Sequence, residues 1–152
     1  ADPRAWIGRT ERVEDSLAPE QARAAAAMLD LDPAPLVADA PLPPLWHWFH
    51  FLPRAPQHAL GDDGHPPRGG FLSPIALPRR MFAGARLRFR RALRLGATAV
   101  REGEIRDVAL KQGRSGTLAF VTVAYRVVQD GATCLEEEQD IVYRDQGAPV
   151  PP

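Results

Sequence analysis

The feature that most constrains the fold of this chain is a series of long strands and tight turns in its second half. After Met81, arginines alternate with apolar residues through positions 86–90, which is the period-two pattern of a half-buried strand. Turns are predicted at Leu95-Gly96, at 113–116 and at Asp130-Gly131, and the last dipeptide is a strong hairpin signal. The sequence therefore predicts four strands in an antiparallel meander.

The third of these strands, 117–129, is apolar at both parities, as Phe120 and Val121 illustrate. A strand of this kind is typical of the centre of a sheet that is covered on both faces. The strand before it loses its regular alternation after Gly103, which predicts a β-bulge near that residue.

One helix is predicted ahead of the strands, over residues 16–29. Ser16 suits an N-cap, and Pro19 and Glu20 suit the first turn. Small side chains at helical spacing allow the helix to lie close to a sheet: Ala22, Ala25 and Ala26, with Leu29 on the same face. One helix followed by a meander indicates an α+β fold with the helix packed against the sheet.

A long segment, 33–78, separates the helix from the strands and is rich in proline and glycine. An aromatic cluster at 46–51 lies between Pro44 and Pro53. Because so aromatic a segment is unlike disordered sequence, we expect an ordered loop, and loops of this length in a compact domain are usually functional.

Composition narrows the function classes. A chain of 152 residues with 45% hydrophobic content suits one domain. Its formal net charge of zero argues against nucleic acid as a partner. Cys134 is the only cysteine, so an intramolecular disulfide is impossible, and we expect a cytoplasmic protein. No apolar run approaches the roughly 18 residues needed to span a bilayer, so no membrane association is expected.

Several segments together carry a resemblance to a known family. They are Leu-Pro-Pro-Leu-Trp-His-Trp at 42–48, Gly-His-Pro at 64–66, Gly-Gly-Phe-Leu at 69–72, Leu-Pro-Arg-Arg-Met-Phe-Ala-Gly at 77–84, and the stretches 87–96, 111–116 and 140–144. This set resembles the N-terminal, non-catalytic half of MaoC-like double-hot-dog hydratases and dehydratases, which include type 2 hydroxyacyl-thioester dehydratases and mesaconyl-CoA-type hydratases. The resemblance spans nearly the whole chain and implies a single hot-dog fold.

The resemblance also implies a domain organisation. Residues 1–145 are expected to form the hot-dog domain, and the proline-rich residues 146–152 a linker to a second hot dog that is missing or separate. Members of this family have two fused hot dogs, and the second carries the catalytic Asp/His pair. Because a lone sheet leaves an edge exposed, we expect a second hot-dog domain or subunit as partner, in a homo- or heterodimer.

The activity implied is hydration or dehydration of an acyl thioester, delivered by coenzyme A or an acyl carrier, with this half shaping the substrate pocket and no cofactor. The counterpart of the family motif Asp-x-Asn-Pro-x-His is 30–35, where Asp32 replaces asparagine and Pro35 replaces histidine. Acid–base chemistry needs a paired group, so no catalytic residue is expected here. Asp30 is interpreted as a degenerate remnant of the motif that forms a turn.

Candidate binding residues follow from the same resemblance. Apolar pockets rich in aromatics hold hydrocarbon well, and the expected lining of an acyl tunnel is Trp46, His47, Trp48, Phe49, Phe71, Met81 and Phe82. Candidate contacts for coenzyme A phosphates or an acidic carrier are Arg79, Arg80, Arg86 and Arg88. The interpretation favoured for the three glutamates at 136–138 is pairing with arginines across the sheet.

Other readings remain open. His47 and His50, and the group His58, Asp62, Asp63 and His65, lack the second spaced pair of a firm zinc motif, so no metal is predicted. Cys134 is interpreted as a packing residue. Two further function classes are a hot-dog thioesterase that uses Asp30 or Glu20, and a non-enzymatic acyl-thioester-binding or structural subunit.

Overall fold

The computed structural model describes residues 2–61, 70–72, 75–114 and 116–145. It contains one α-helix, α1, Pro19–Met28. Three short 3-10 helices are Pro3–Trp6, Trp46–Phe49 and Gln57–Ala59. The strands are β1, Thr10–Asp15; β2, Arg79–Phe89; β3, Ala99–Gly113; β4, Gly116–Gln129; and β5, Ala132–Arg144.

The strands form one antiparallel sheet in the order β1-β3-β4-β5-β2. The predicted meander is confirmed for β3, β4 and β5, but a hairpin between β2 and β3 is wrong. Strand β2 pairs with β5 instead, from Arg79 opposite Arg144 to Phe89 opposite Leu135. The segment 90–98 connects β2 to β3 across the sheet. At its start Arg90 and Arg91 donate to the Cys134 carbonyl of β5, and residues 93–95 then bond to residues 39–42.

Strand β1 was not predicted from the sequence. It pairs with β3 along its whole length, from Thr10 opposite Glu104 to Asp15 opposite Ala99. Its sequence, Thr-Glu-Arg-Val-Glu-Asp, has Val13 as its single apolar residue, so the hydrophobic alternation that marks a strand is absent. Pairing with β3 decides its conformation.

The turns are where the sequence placed them. Asp130 and Gly131 both have positive φ, at 53° and 73°, which is the geometry of a two-residue hairpin loop of type I′. Gly113 pairs with Gly116 across the second hairpin, whose Ser115 lies outside the described residues. Gly96, with φ at 79°, makes the first turn and donates its N–H to the Leu17 carbonyl at 2.8 Å.

Within the sheet, the expected bulge is confirmed slightly further along β3, where the register shifts between Ile105 and Asp107. Strand β4 buries one parity, as in Val121 and Val123, whereas Phe120 on the other parity is only half-buried. The expectation that β4 is covered on both faces is therefore wrong within this chain, where the helix and loops cover one face.

The helix is shorter at its start than predicted. Ala18 is the N-cap and makes no side-chain hydrogen bond, so the expectation of a Ser16 cap is wrong. Pro19 opens the helix and Glu20 lies in its first turn, as expected. The buried alanines of α1 pack against sheet residues such as Val127, which confirms the helix-on-sheet arrangement of an α+β hot dog. No helix in the described residues is long and apolar enough to cross a membrane.

We call the covered side of the sheet its inner face. It carries two apolar clusters, one at each end of the strands. The first lies beneath α1 and includes Leu95, Ala99, Val127 and Leu135. The second includes Ile105, Val121, Ile141 and Tyr143, and Phe71 and Leu72 pack against it. Between the two clusters lies a strip that we call the polar strip, the row formed by Glu11, Gly103, Tyr125, Glu137 and Leu87.

The outer face carries a charged row that crosses all five strands. The register aligns, in order, Arg12, Glu102, Arg126, Glu136 and Arg88, so that charge alternates in sign from edge to edge. The Arg126–Glu102 pair has an N–O distance of 2.6 Å, and both side chains are exposed by more than 40%. Exposed pairs of this kind contribute little each, at about 0–1 kcal/mol.

Candidate functional site

A cavity of about 830 Å³ opens on the polar strip between the two clusters. Its walls come from β1, β2, β3 and β5 and from the segment 47–54. Its polar lining includes Glu11, Asp15, His47, His50, Arg101 and Glu137. A volume of this size lies within the range of small-molecule sites, and so many polar groups facing one cavity mark it as the candidate site.

The backbone around the aromatic segment is strained. Leu45, just before the 3-10 helix, has φ of 73°, and Phe51, just after it, has φ of 55°. Both are large L-residues in the left-handed region, a conformation that costs about 1–3 kcal/mol and persists only where surrounding contacts hold it. Gln21 Nε2 of α1 donates to the Phe49 carbonyl and ties the segment to the helix.

Asp15 holds two of the strained positions at once. Its Oδ1 accepts the N–H of Leu17 at 2.7 Å, and its Oδ2 accepts the N–H of Phe51 at 3.1 Å. Leu17 also has positive φ, at 48°. One carboxylate at the end of β1 therefore fixes both the start of the helical region and the end of the aromatic segment.

A buried histidine–glutamate pair lies on the floor of the cavity. His47 Nε2 is 3.0 Å from Glu137 Oε1, with the side chains only 4% and 2% exposed. Because an ionised carboxylate only accepts hydrogen bonds, Nε2 is the donor. Trp48 Nε1 donates to Glu137 Oε2 at 2.8 Å, and Gln139 Nε2 donates to the same oxygen at 3.2 Å. Glu137 thus joins β5 to the aromatic segment through three donors.

The charge state of Glu137 follows from these bonds. Burial alone raises the pKa of a carboxyl, but the bonds from His47, Trp48 and Gln139 outweigh it, so the pKa of Glu137 is lowered overall. The carboxylate is therefore ionised at neutral pH despite its position inside the protein.

His50 lines the same cavity and is less well satisfied. Its Nδ1 is 3.6 Å from Asp15 Oδ1, which is too long for a hydrogen bond. Both ring nitrogens are buried and lack a hydrogen-bond partner among the described residues. Burial is the main cause that lowers the pKa of His50, so the ring is neutral at pH 7 and offers one donor and one acceptor.

Of the residues predicted to line an acyl tunnel, three meet at this cavity: His47, Trp48 and Phe82. The Trp48 and Phe82 rings contact each other edge to face, with centroids 6.1 Å apart, and both are substantially exposed. They form an aromatic rim beside the free edge of β2. Their binding to an acyl chain stays a prediction.

The other four predicted lining residues lie elsewhere. Trp46 and Phe49 contact each other at 5.4 Å, and Trp46 packs on the first cluster. Phe71 packs on the second cluster. Met81 lies opposite Val142 on the outer face, since side chains alternate along β2, so it faces away from the cavity.

The predicted arginine–glutamate pairing is confirmed in part. Arg86 donates to Glu138 at 3.0 Å and to Asp140 at 2.8 Å, and Arg90 donates to Glu136 at 3.1 Å, all on exposed side chains. The prediction is wrong for Glu137, which points to the inner face instead.

The phosphate-contact candidates have different surroundings. Arg79 is exposed and Arg80 is half-buried, whereas the guanidinium of Arg86 is already occupied by two carboxylates. Arg88 lies opposite Glu136 on the outer face. Phosphate contact by all four arginines remains a prediction.

Asp30 lies away from the cavity. It follows the end of α1, is exposed and has φ of 56°, as expected of a turn residue. Nearby, Asp32 Oδ1 accepts the N–H of Ala34 at 3.0 Å, which closes a local turn. Of the candidate metal ligands, Asp62, Asp63 and His65 lie outside the described residues, as do residues 146–152 of the predicted linker.

Cys134 has the surroundings of a packing residue. It is 1% exposed and belongs to the first cluster. Burial is the main cause that raises the pKa of its thiol. The thiolate form needed for nucleophilic chemistry is therefore disfavoured, as predicted.

A second, smaller cavity of about 410 Å³ lies on the other side of His47. Its walls are mostly apolar and come from the proline segment 41–44, from Phe89 and Leu135, and from residues 90–93. His47 therefore separates a polar cavity from an apolar one.

Comparisons with known proteins place this chain in a family. Residues 45–151 match the hydroxyacyl-thioester dehydratase type 2 family. This match covers more than half of the chain, which therefore belongs to that family.

One curated relative is the mesaconyl-C(4)-CoA hydratase of Chloroflexus aurantiacus, which is 64% identical over 151 residues. The match covers 99% of this chain and 54% of the relative, so the chain spans about half the length of the curated protein it matches.

Two solved structures from Mycobacterium tuberculosis share the fold at low sequence identity. One is the ChsH1–ChsH2 complex, with a TM-score of 0.67 and 16% identity over 97% of this chain and 92% of that one. The other is the C-terminally truncated HadBC (3R-hydroxyacyl-ACP dehydratase) complex, with a TM-score of 0.57 and 13% identity over 90% and 96% of the two chains. The predicted hot-dog fold is confirmed.

Sequence reasoning missed four residues of the site: Glu11, Asp15, Arg101 and Glu137. Asp15 and Arg101 lie in strands whose polar pattern hid the direction of their side chains. Glu137 had a usable signal, because it is the middle glutamate of three on one strand, and alternation must send it to the face opposite its neighbours.

Proposed function

We propose that this chain is the non-catalytic half of an acyl-thioester hydratase or dehydratase, and that its inner-face cavity receives part of the acyl group. The observation that carries the proposal is a cavity of about 830 Å³ with an aromatic rim, in a chain of the hydroxyacyl-thioester dehydratase type 2 family. The name of the 64% identical relative, a hydratase of mesaconyl-C(4)-CoA, supports a coenzyme A thioester as substrate.

The geometry of the cavity supports a binding role rather than acid–base catalysis in this half. Hydration needs a group that activates water and a group that exchanges a proton at the α-carbon, both within reach of the substrate. His47 and Glu137 are nearly fully buried and bonded to each other, and Glu137 already accepts three hydrogen bonds. We therefore assign the catalytic pair to the second half of the enzyme.

The free edge of β2 supports a second hot dog as partner. Strand β2 pairs with β5 on one side, and its other edge has no partner strand among the described residues. Phe82 and Trp48, which are 59% and 44% exposed, lie beside that edge at the mouth of the cavity. Edge strands with adjoining apolar surface are usually covered in native assemblies. We place the assembled enzyme in the cytoplasm, in line with the single cysteine.

The test uses the whole protein that contains this chain, with its second half present, and follows the loss of enoyl absorbance with crotonyl-CoA and mesaconyl-C(4)-CoA. We expect hydration of at least one thioester. We expect Phe82→Ala to raise KM severalfold with little change in kcat, because Phe82 walls the cavity. Met81→Ala is the matched control, since Met81 is the preceding residue on β2 and faces the opposite side.

Other outcomes would replace the proposal. Release of free coenzyme A thiol without loss of the double bond first would establish a thioesterase. Binding of the thioesters without any chemical change would establish a non-enzymatic binding subunit. If Phe82→Ala and Met81→Ala changed KM equally, the cavity would not be the binding site of the acyl group.

A further inference from the structure

Arg101 is a cation held on the inner face of the sheet, where apolar residues are the norm. It lies on β3 opposite Val127 of β4 and Val13 of β1, and it lines the larger cavity. Its guanidinium stacks near the rings of Tyr125, at 4.8 Å, and Phe51, at 5.6 Å. The two rings fix the position of the charge, and the side chain, which is 24% exposed, lines the cavity.

Most donors of Arg101 are unused. Its hydrogen bond within the described residues runs from Nη2 to Glu11 at 3.3 Å, longer than the usual 2.7–2.9 Å or so of a charge-assisted bond. Its Nε is buried and has no partner there. By contrast, Arg126 on the outer face reaches Glu102 at 2.6 Å. Since a guanidinium has five N–H donors, Arg101 retains capacity for an anionic ligand.

The acids around the cavity do not compete for this capacity, apart from Glu11. Glu137 accepts hydrogen bonds from His47, Trp48 and Gln139. Asp15 accepts two backbone N–H groups. Glu14 pairs with Arg12 at 2.8 Å.

His50, on the wall of the same cavity, adds one buried ring N–H donor that has no partner among the described residues, since its neutral ring has one donor and one acceptor. The cavity thus holds unpaired donors beside carboxylates that are already bonded. This is the reverse of what a plain hydrocarbon chain requires, because such a chain would leave the donors unsatisfied.

We propose that Arg101, with His50 lining the same cavity, binds the free carboxylate of a dicarboxylic acyl thioester and so selects that substrate class. The inference rests on the proposed function, since it assumes that the acyl group enters this cavity. Bidentate contact through a planar guanidinium suits a carboxylate better than any uncharged group. The carboxylate of the ligand would take the donors that Glu11 leaves free.

The test compares two thioesters that differ by one carboxylate on the β-carbon, mesaconyl-C(4)-CoA and crotonyl-CoA, with the whole two-half protein. We expect the wild type to prefer mesaconyl-C(4)-CoA. Arg101→Gln should lower kcat/KM for that substrate by about 10- to 150-fold, which is the usual effect of losing a hydrogen bond to a charged group. It should change kcat/KM for crotonyl-CoA by less than about threefold. For Arg101→Lys we expect a kcat/KM for mesaconyl-C(4)-CoA between those of the wild type and Arg101→Gln.

Two further variants separate binding from a structural role. Arg126 lies on the outer face, so Arg126→Gln should leave kcat/KM unchanged for both substrates. Glu11→Gln weakens the acceptor that competes for Arg101 among the described residues, and it should lower KM for mesaconyl-C(4)-CoA. If Arg101 served only the fold, Glu11→Gln would damage activity as Arg101→Gln does, and both thioesters would suffer equally; either result overturns the inference.

Failure of the inference and failure of the proposed function look different. If the wild type hydrates neither thioester, the proposed function falls. If it hydrates both equally well, or if Arg101→Gln leaves the preference intact, the hydratase proposal survives and the carboxylate site does not.

Discussion

Glu137 allows the sharpest test of the site. Replacements of similar size should keep or lose different hydrogen bonds from the three side chains that donate to it. Glu137→Leu removes every acceptor and leaves the buried donor of His47 and the part-buried donor of Trp48 unpaired. An unsatisfied buried donor costs about 1–3 kcal/mol, so we expect this variant to lose about 2–4 kcal/mol of stability. Glu137→Gln keeps one oxygen for Trp48, and His47 can shift its proton to Nδ1 and accept from the new amide. We expect that variant to cost about 1–2 kcal/mol.

The assay is urea unfolding of each variant at neutral and at acidic pH. The folded-state pKa of Glu137 is lowered from its reference value of 4.5, so its contribution to stability is fully present above pH 4.5 and is lost as pH falls through the folded-state pKa. The gap between wild type and Glu137→Leu should therefore narrow below pH 4.5. Glu136→Leu is the matched control, since Glu136 is the exposed neighbour and pairs with Arg90. A Glu137→Leu variant within about 1 kcal/mol of the wild type, no worse than that control, would refute the buried network.

Substitutions at two positions and one labelling reaction test the surrounding structure. Asp15→Ala should cost about 2–4 kcal/mol in thermal unfolding, because two backbone N–H groups at strained positions lose their acceptor, and Asp15→Asn should lie closer to the wild type. Gly131→Ala meets no atom within 4 Å, so its cost should be the backbone penalty of positive φ alone, about 1–2 kcal/mol, and a larger loss of stability would point to a contact the structure lacks. Cys134 should react with a disulfide reagent only after denaturant unfolds the protein, and rapid labelling of the native state would contradict its burial.

The sequence predicted the parts of the fold that depend on local signals. The hairpin at Asp130-Gly131 needs two positive φ angles, which this dipeptide readily adopts. The position of the turn then sets the end of β4 and the start of β5. The helix was predictable because a run of alanines follows a proline that suits the first turn of a helix. The position of β2 was not predictable in this way, because its pairing with β5 depends on a crossing of residues 90–98 that bonds to a distant loop. Strand β1 has too few apolar residues to show a period.

The site was predicted where it depends on aromatic side chains and missed where it depends on polar ones. His47 and Trp48 stood out as members of an unusual aromatic cluster. Asp15, Arg101 and Glu137 looked like ordinary members of charged strands, and it is the register that turns them toward the inner face. A period-two rule applied strictly to the three glutamates would have found Glu137, but sequence gives no sign that His47 lies across from it.

The energetics of the polar strip favour a functional rather than a folding role for these residues. The register places Glu11, Gly103, Tyr125, Glu137 and Leu87 in one row across the inner face, between two apolar clusters. A row of well-packed apolar residues there would be as stable or more so, because buried ion pairs rarely repay their desolvation. The same strip is bounded by residues held at positive φ, which carry a further cost. A fold that sustains both costs beside an open cavity is stabilised elsewhere, by the two apolar clusters, and Arg101, which is 24% exposed on the cavity wall, is the charged group that a polar ligand would meet there.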